Sequence, residues 1–274
     1  MEIIDYLKSK SYLFSDAVVI NFGLEKYSIR NVIELSRLYE KILDNYDIKN
    51  QKAAFIVSSE MNIFELTFFL ALIQKNVVPY VMYENCEVSE LKKIIDNEKL
   101  ANVFSSSNKK FPFDTINIKG MNKSKDKIKN IDEDINSDKL AVFCMDNNIL
   151  TIDDVIYSDE VIDSLENNGF YSSIVTDMPL TYTNIKYIIN AIKKAINIYS
   201  LKDYETLKNL KILKKIQPEI VCMSNSMVLE LMLDSKYLED YLNNTRYISF
   251  SSNVDDAYKE KLLNEIKTKQ KKLG

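Results

Sequence analysis

The chain has no histidine, and its 274 residues include only four glycines: Gly23, Gly120, Gly169 and Gly274. Histidine is the one side chain whose ordinary pKa lies near neutrality. Its absence excludes Ser-His-Asp and Cys-His arrangements and histidine-ligated metal. Glycine lets backbone approach a ligand or take positive φ, so its scarcity counts against the usual phosphate-binding loops. Cysteine is sparse too. Cys86, Cys144 and Cys222 are odd in number, far apart and in no CxxC pair, which predicts reduced, buried thiols and neither a disulfide framework nor a zinc site. With a net charge of -4 and a pI near 5.2, the chain lacks the basic field that nucleic acid would require. The opening MEIIDYLKSK carries acids and no uninterrupted apolar run, so no signal peptide or membrane anchor is expected, and the expected compartment is the cytoplasm.

What is present is an apolar pattern large enough for a substantial core, since 46% of residues are hydrophobic. In 28–44, Val32, Leu35, Tyr39 and Ile42 fall at helical spacing behind a Ser28 cap. AAFIVS (53–58) reads as a buried strand, FELTFFLALIQ (64–74) as a helix apolar almost all round, and VVPYVMY (77–83) as a strand with Pro79 near an end or edge. Ser89 is expected to cap a helix carrying Leu91, Ile94 and Ile95, followed by a strand at 101–105. Residues 106–137 lose periodicity and read as a polar linker. Alternation then resumes: strand 139–145, helix near 159–167, strand 170–176, helix 183–195, strand 196–200, helix 204–216 and strand 219–224. A helix at 226–233, one carrying Tyr237 and Tyr241, a strand at 247–251 and a charged helix from Asp255 complete the chain. The pattern predicts an α/β fold of two layered subdomains, 1–105 and 138–274, with mainly parallel sheets flanked by helices.

The order and wording of these pieces resemble the large N-terminal domain of the adenylate-forming superfamily: acyl-CoA synthetases, peptide-synthetase adenylation domains and luciferases. YSIRNVIELSRLYEKIL and KNQKAAFIVSSEMNIFELTFFLALIQKNVVPYVMY match the family's "TYxEL" helix and "GDxVAIxxxNxxExxxxxLAxLKAGAVxVPL". SSIVTDMPLTYTNIKYIINAIKKAINIY is similar to "xSVLPLxHxxGLxxxLLxxLLAGAxVVL", with Tyr182 where many members carry histidine. LKILKKIQPEIVCMSNSMVLELML and TRYISFSSNVDDAYKEKLLNEI match the pieces around "VPTMLxxLL" and "LRxxxSGGAPLxPELxxxFxxxF". The matches cover most of the chain outside the linker. They correspond to about the first two thirds of the family's large domain, so the later catalytic elements have no counterpart to carry over.

The resemblance implies a phosphate loop, "YTSGTTGxPKG", directly after the strand at 139–145. The chain there reads MDNNILTIDD, Met145 to Asp154, without glycine or lysine. Phosphate binding needs successive backbone N–H groups turned to the anion and a cation. This segment offers Asp146, Asn147, Asn148, Thr151, Asp153 and Asp154. At an effective dielectric near 20, a carboxylate repels a phosphate charge about 4 Å away by about 4 kcal/mol. The family's double glycine beside adenine is Ser251 and Ser252, and Lys75 and Asn76 stand where it has alanine and glycine.

The expectation is a degenerate ligase-like protein with no catalytic residues or metal site of its own, Tyr182 lining a pocket, and a binding or assembly role beside a synthetase chain or carrier protein. The alternative is a split acid ligase using ATP and Mg²⁺ and completed by a second chain. An unrelated doubly wound protein would show a different strand order.

Overall fold

In a computed structural model the described residues are 5, 7, 18–22, 25–123, 129, 138–145, 147–156, 172–201, 206–233, 238–251 and 254–270. The expected helix near 159–167, the first two residues of the helix expected at 204–216, and Tyr237 lie outside them. Two six-stranded sheets form the frame. The first runs β12 (Tyr247–Phe250), β11 (Ile220–Met223), β9 (Ser173–Thr176), β10 (Asn197–Ser200), β1 (Val18–Phe22) and β2 (Glu25–Ser28). The second runs β6 (Ile116–Asn117), β5 (Val103–Ser105), β3 (Gln51–Val57), β4 (Val77–Tyr83), β7 (Lys139–Phe143) and β8 (Asn148–Thr151). Each sheet is parallel except for its last strand, which returns antiparallel in a hairpin.

Sheet membership does not follow the halves of the chain. The N-terminal hairpin β1–β2 pairs through β10 with the C-terminal strands, and β7–β8 pairs through β4 with the N-terminal ones. Within the stretch expected as a polar connector, β6 and a 3-10 turn at Ile118–Lys123 are built into the body, with Ile116, Ile118 and Met121 buried.

Side-chain alternation along the strands sorts the core into layers. Phe55 and Val57 of β3, Ile198 of β10 and Ile174 of β9 share one buried cluster with the helices α1 (Ile29–Asn45), α2 (Ile63–Gln74) and α5 (Tyr182–Lys194). Ala54 and Ile56, one residue out of step, join α3 (Val88–Asn97) on the outer face of the second sheet. Val175, Val221 and Met223 join the outer cluster of the first sheet. That cluster also holds the helices α6 (Thr206–Ile216), α7 (Asn225–Leu233), α8 (Leu238–Leu242) and α9 (Asp256–Gln270). Phe68 is central, with ring centroids 5.1 Å from Tyr39, 5.4 Å from Phe55 and 5.1 Å from Phe104. The helix α4 (Ile152–Ile156) follows β8.

The caps explain why the helices start where they do. Ser28 and Asn31 form a reciprocal capping box on α1, and Asn62 and Thr181 accept from Glu65 N and Asn184 N on α2 and α5. With glycine scarce, left-handed turns fall to other residues, among them Asn50, Asn76 and Asn147 at φ 49°, 54° and 51°. Asn tolerates this region better than other side chains. Asn76, which stands at a glycine position of the family pattern, thus keeps the conformation glycine would supply.

Two local expectations are corrected. The residue before α3 is Glu87, which makes no side-chain cap; Ser89 lies inside the first turn and bonds back to Glu87 at 3.4 Å. Pro79 lies in an interior strand. Cys144 N donates to Val81 O, so alternation turns the odd-numbered backbone of β4 toward β7. Pairing with β7 begins only at Tyr80, one residue past the proline, and the missing donor is tolerated there.

Candidate functional site

The segment expected as a phosphate loop is a tight hairpin. β7 and β8 pair from Lys139↔Thr151 to Phe143↔Asn148 with one bulge, leaving only Cys144 to Asn147 to turn the chain. Cys144 N is consumed by Val81 O at 3.1 Å, and Asn147 takes the left-handed conformation. Asn147, Asn148 and Asp153 are exposed, and Asp146 lies outside the described residues.

Beyond the hairpin, Thr151 starts α4 and Asp154 reaches back to it. Thr151 N and Oγ1 both donate to Asp154 Oδ2 at 2.9 Å, the reciprocal half of a capping box. Tyr182 Oη donates to Asp154 Oδ1 at 3.0 Å, and Lys186 Nζ lies 3.6 Å from the same oxygen. The Tyr182 ring stands edge-on to Phe143 at 6.1 Å. Three residues singled out in the sequence, Thr151, Asp154 and Tyr182, are thus brought together. Lys186 was missed, although it sits one helical turn beyond Tyr182 on the same face. Partial burial pushes the Asp154 carboxyl up, but the Thr151 and Tyr182 hydrogen bonds and the Lys186 charge outweigh it and hold the group below the ordinary carboxylate range. Lys193, itself buried, donates to Val155 O at 2.7 Å and Asn190 Oδ1 at 2.8 Å, tying the far end of α4 to α5.

These residues do not fit a triphosphate. The turn is too short to wrap one, it lacks a lysine, and Asp154 accepts from protein donors on both oxygens. Among the described residues no group of three or more Cys, Asp or Glu side chains is arranged to hold a metal ion. At the adenine-side position, Ser251 N donates to Met223 O at 2.9 Å and so prolongs the β12–β11 pairing; Ser252 lies outside the described residues.

A second polar constellation, not singled out in the sequence, lies at the carboxyl ends of the strands. Glu65, wholly buried on α2, accepts from Ser58 N at 2.7 Å, from Ser58 Oγ at 2.6 Å and from Ser106 Oγ, so it bridges the ends of β3 and β5. Its other oxygen, Oε2, has no partner. Burial raises its pKa to about 7, and the hydrogen bonds from Ser106 and Ser58 only partly oppose the rise. Glu84, just past β4, accepts from Ser59 N at 3.1 Å and from Ser107 Oγ. In the other sheet Asp177 accepts from Ser224 N at 2.7 Å, joining the ends of β9 and β11. All three cysteines are free thiols, Cys222 buried as expected but Cys86 and Cys144 only partly so; burial disfavours their thiolates, pushing Cys144 up to about 12 and raising Cys86 and Cys222 as well. Among the described residues no helix is long and apolar enough to cross a membrane.

No protein-family model and no curated protein sequence matches the chain. Solved structures do. O-succinylbenzoate coenzyme A synthetase (MenE) from Bacillus subtilis, in complex with AMP, aligns with a TM-score of 0.71 at 10% identity over 95% of this chain and 70% of its own. NpsA-ThdA, an artificially fused adenylation-PCP di-domain from Klebsiella oxytoca, gives 0.68 at 11% over 96% of this chain and 51% of its own. VinN in complex with L-aspartate gives 0.71 at 8% over 97% and 73%. The chain therefore spans about half to three quarters of the length of these relatives, and likeness at such identity speaks for the fold alone. Aligned over at least 95% of its length with these structures, the chain has the fold of the N-terminal domain of adenylate-forming enzymes.

Proposed function

We propose that the chain is a degenerate, ligase-like cytoplasmic protein that does not adenylate a substrate by itself and serves as a binding or assembly component. The observation that carries this reading is the hairpin at 139–151, where a tight turn without glycine or lysine stands in the phosphate-loop position and the adjacent Asp154 is engaged by Thr151, Tyr182 and Lys186. Fold is set by the apolar pattern and function by loops placed on it, so such a body can persist after its nucleotide loop has changed. Its partner in this reading is a synthetase chain or a carrier protein; one structure it resembles is an artificially fused adenylation-PCP di-domain. Isothermal titration with ATP, with and without Mg²⁺, tests it. No saturable heat is expected, and micromolar binding overturns the proposal.

A second reading has its own observation. Leu233 at the end of α7 is 90% exposed, and Tyr247 of the edge strand β12 and Tyr258 of α9 are 37% and 42% exposed. Apolar exposure of this kind suits a second chain that would complete an acid-CoA or amino-acid adenylating ligase with ATP and Mg²⁺. Copurification of such a chain, with ATP–pyrophosphate exchange by the pair and by neither partner alone, decides for this reading.

A further inference from the structure

A groove of about 640 Å³ runs beside β2, at the edge of the first sheet opposite β12, and neither the 139–151 hairpin nor Ser251 contributes to it. Two elements form it. Lys26 and Tyr27 come from β2, and α1 supplies Asn31, Glu34, Leu35, Leu38 and Lys41. The α1 residues recur at intervals of three and four, so they make one stripe along the helix, roughly 15 Å from Asn31 to Lys41 at 1.5 Å per residue. The core-facing stripe is a different one, with Val32, Ser36, Tyr39 and Leu43. On the strand side, Lys26 and Tyr27 are successive residues whose side chains alternate. Both line the groove while no residue of β1 does, which sets it against the outer edge of β2. Among the described residues β2 pairs with β1 alone, so that edge keeps unpaired backbone N–H and C=O groups.

Charge and apolar surface decide what this edge can take. The chain as a whole has a net charge of -4, yet the groove wall holds three cations, Lys26, Arg37 and Lys41, against one carboxylate, Glu34. Arg37 spends one of its five N–H donors on Asp5 at 2.8 Å, and that carboxylate offsets part of its charge. The excess therefore rests on Lys26 and Lys41, which are exposed and have no hydrogen bond or ion pair with any described residue. Leu38 is 54% exposed and Leu35 partly so, which sets apolar surface among the cations. Anionic membranes draw on clusters of about four to eight cations, and nucleic acid on a basic field that this acidic chain lacks. A protein strand laid on an open sheet edge gains main-chain hydrogen bonds and directs alternate side chains to the same face. A segment in which acidic and apolar residues alternate answers the edge, the leucines and the lysines together.

We infer that the β2 edge takes up an extended acidic segment of another protein as an added strand, with its apolar side chains on Leu35 and Leu38 and its carboxylates at Lys26 and Lys41. This deepens the binding role proposed above and rests on it, but the two fail separately, since ATP titration reads the hairpin and peptide titration reads β2. Dye-labelled seven-residue peptides are titrated with the full chain by fluorescence anisotropy. The peptide alternating glutamate and leucine is expected to bind with a Kd of about 0.1 mM or tighter. Glutamine in place of glutamate should weaken it about 5-fold, as two exposed charge pairs would, and lysine should abolish it. In an added strand successive amides face host and solvent in turn, so N-methylation of alternate amides should abolish binding in one phase and spare it in the other. Lys41→Glu should weaken the acidic peptide about 10-fold with the circular-dichroism melting curve unchanged, and Lys26→Glu replaces it should that variant not fold. No binding of the acidic peptide, equal binding of the glutamate and glutamine peptides, or equal effects of the two methylation phases overturns the inference. So does unchanged affinity in the folded variant, or tighter binding of phosphatidylserine vesicles or polyuridylate than of the acidic peptide.

Discussion

Glu65 and Asp154 hold comparable posts and end in opposite states. Each is a carboxylate near a helix start that accepts from a backbone N–H and a hydroxyl at the end of a preceding strand. Glu65 is completely buried, its carboxyl is met by the Ser58 and Ser106 donors, and one of its oxygens has no partner, so burial wins and its pKa is raised to about 7. Asp154 is partly exposed, has both oxygens engaged and faces Lys186, so its charge is favoured. The difference lies in depth and in the presence of a cation, since both groups receive hydrogen bonds.

Neutralising Glu65 should break the comparison most strongly. Its pKa is raised in the folded state, so the fold binds the extra proton between about pH 4.5 and about 7, and the associated stability is present below that window and lost as pH rises through it. Glu65→Gln removes this loss. Its stability relative to the parent, measured by urea unfolding, should grow by about 3 kcal/mol from pH 4.5 to 7.5; a difference that does not change with pH sinks the assignment. Asp154→Ala should cost about 1–2 kcal/mol at pH 7 by removing the cap and its partners. The sign here is reversed: a lowered pKa gives stability above the unfolded value that fades as pH falls through the folded one, so the cost should shrink in acid. A cost that grows on acidification would contradict the pairing. Tyr182→Phe is the mildest change, expected to cost about 1 kcal/mol and to move the Asp154 carboxyl titration upward when followed by carbon NMR. An unmoved titration would mean that the phenol does not act on Asp154 in solution.

Much of the fold was legible because each element carries its own period. Val32, Leu35, Tyr39 and Ile42 mark α1, and the all-round apolar run of α2 announces a helix buried between layers. Pairing between distant segments was not legible. Nothing local in VVINF directs it to Ile198 rather than to β3, and Pro79 reads as an edge signal unless the register with β7 is known. The site divides in the same way. Thr151, Asp154 and Tyr182 were named because a family pattern gave them positions, whereas Glu65 sat unremarked within an apolar run. Its meaning depends on Ser106, 41 residues away in the chain.

The exchange of hairpins between sheets also sets a timetable for synthesis. Asn21 Nδ2 donates to Ile198 O, 177 residues further along, and β1 has its parallel neighbour only in β10. At about 5–20 residues per second a ribosome needs roughly 10–35 s to deliver that neighbour. For this interval Val18–Phe22 is a nascent strand whose parallel side is unclaimed, and an unpaired strand edge of that kind is a template for pairing with other chains.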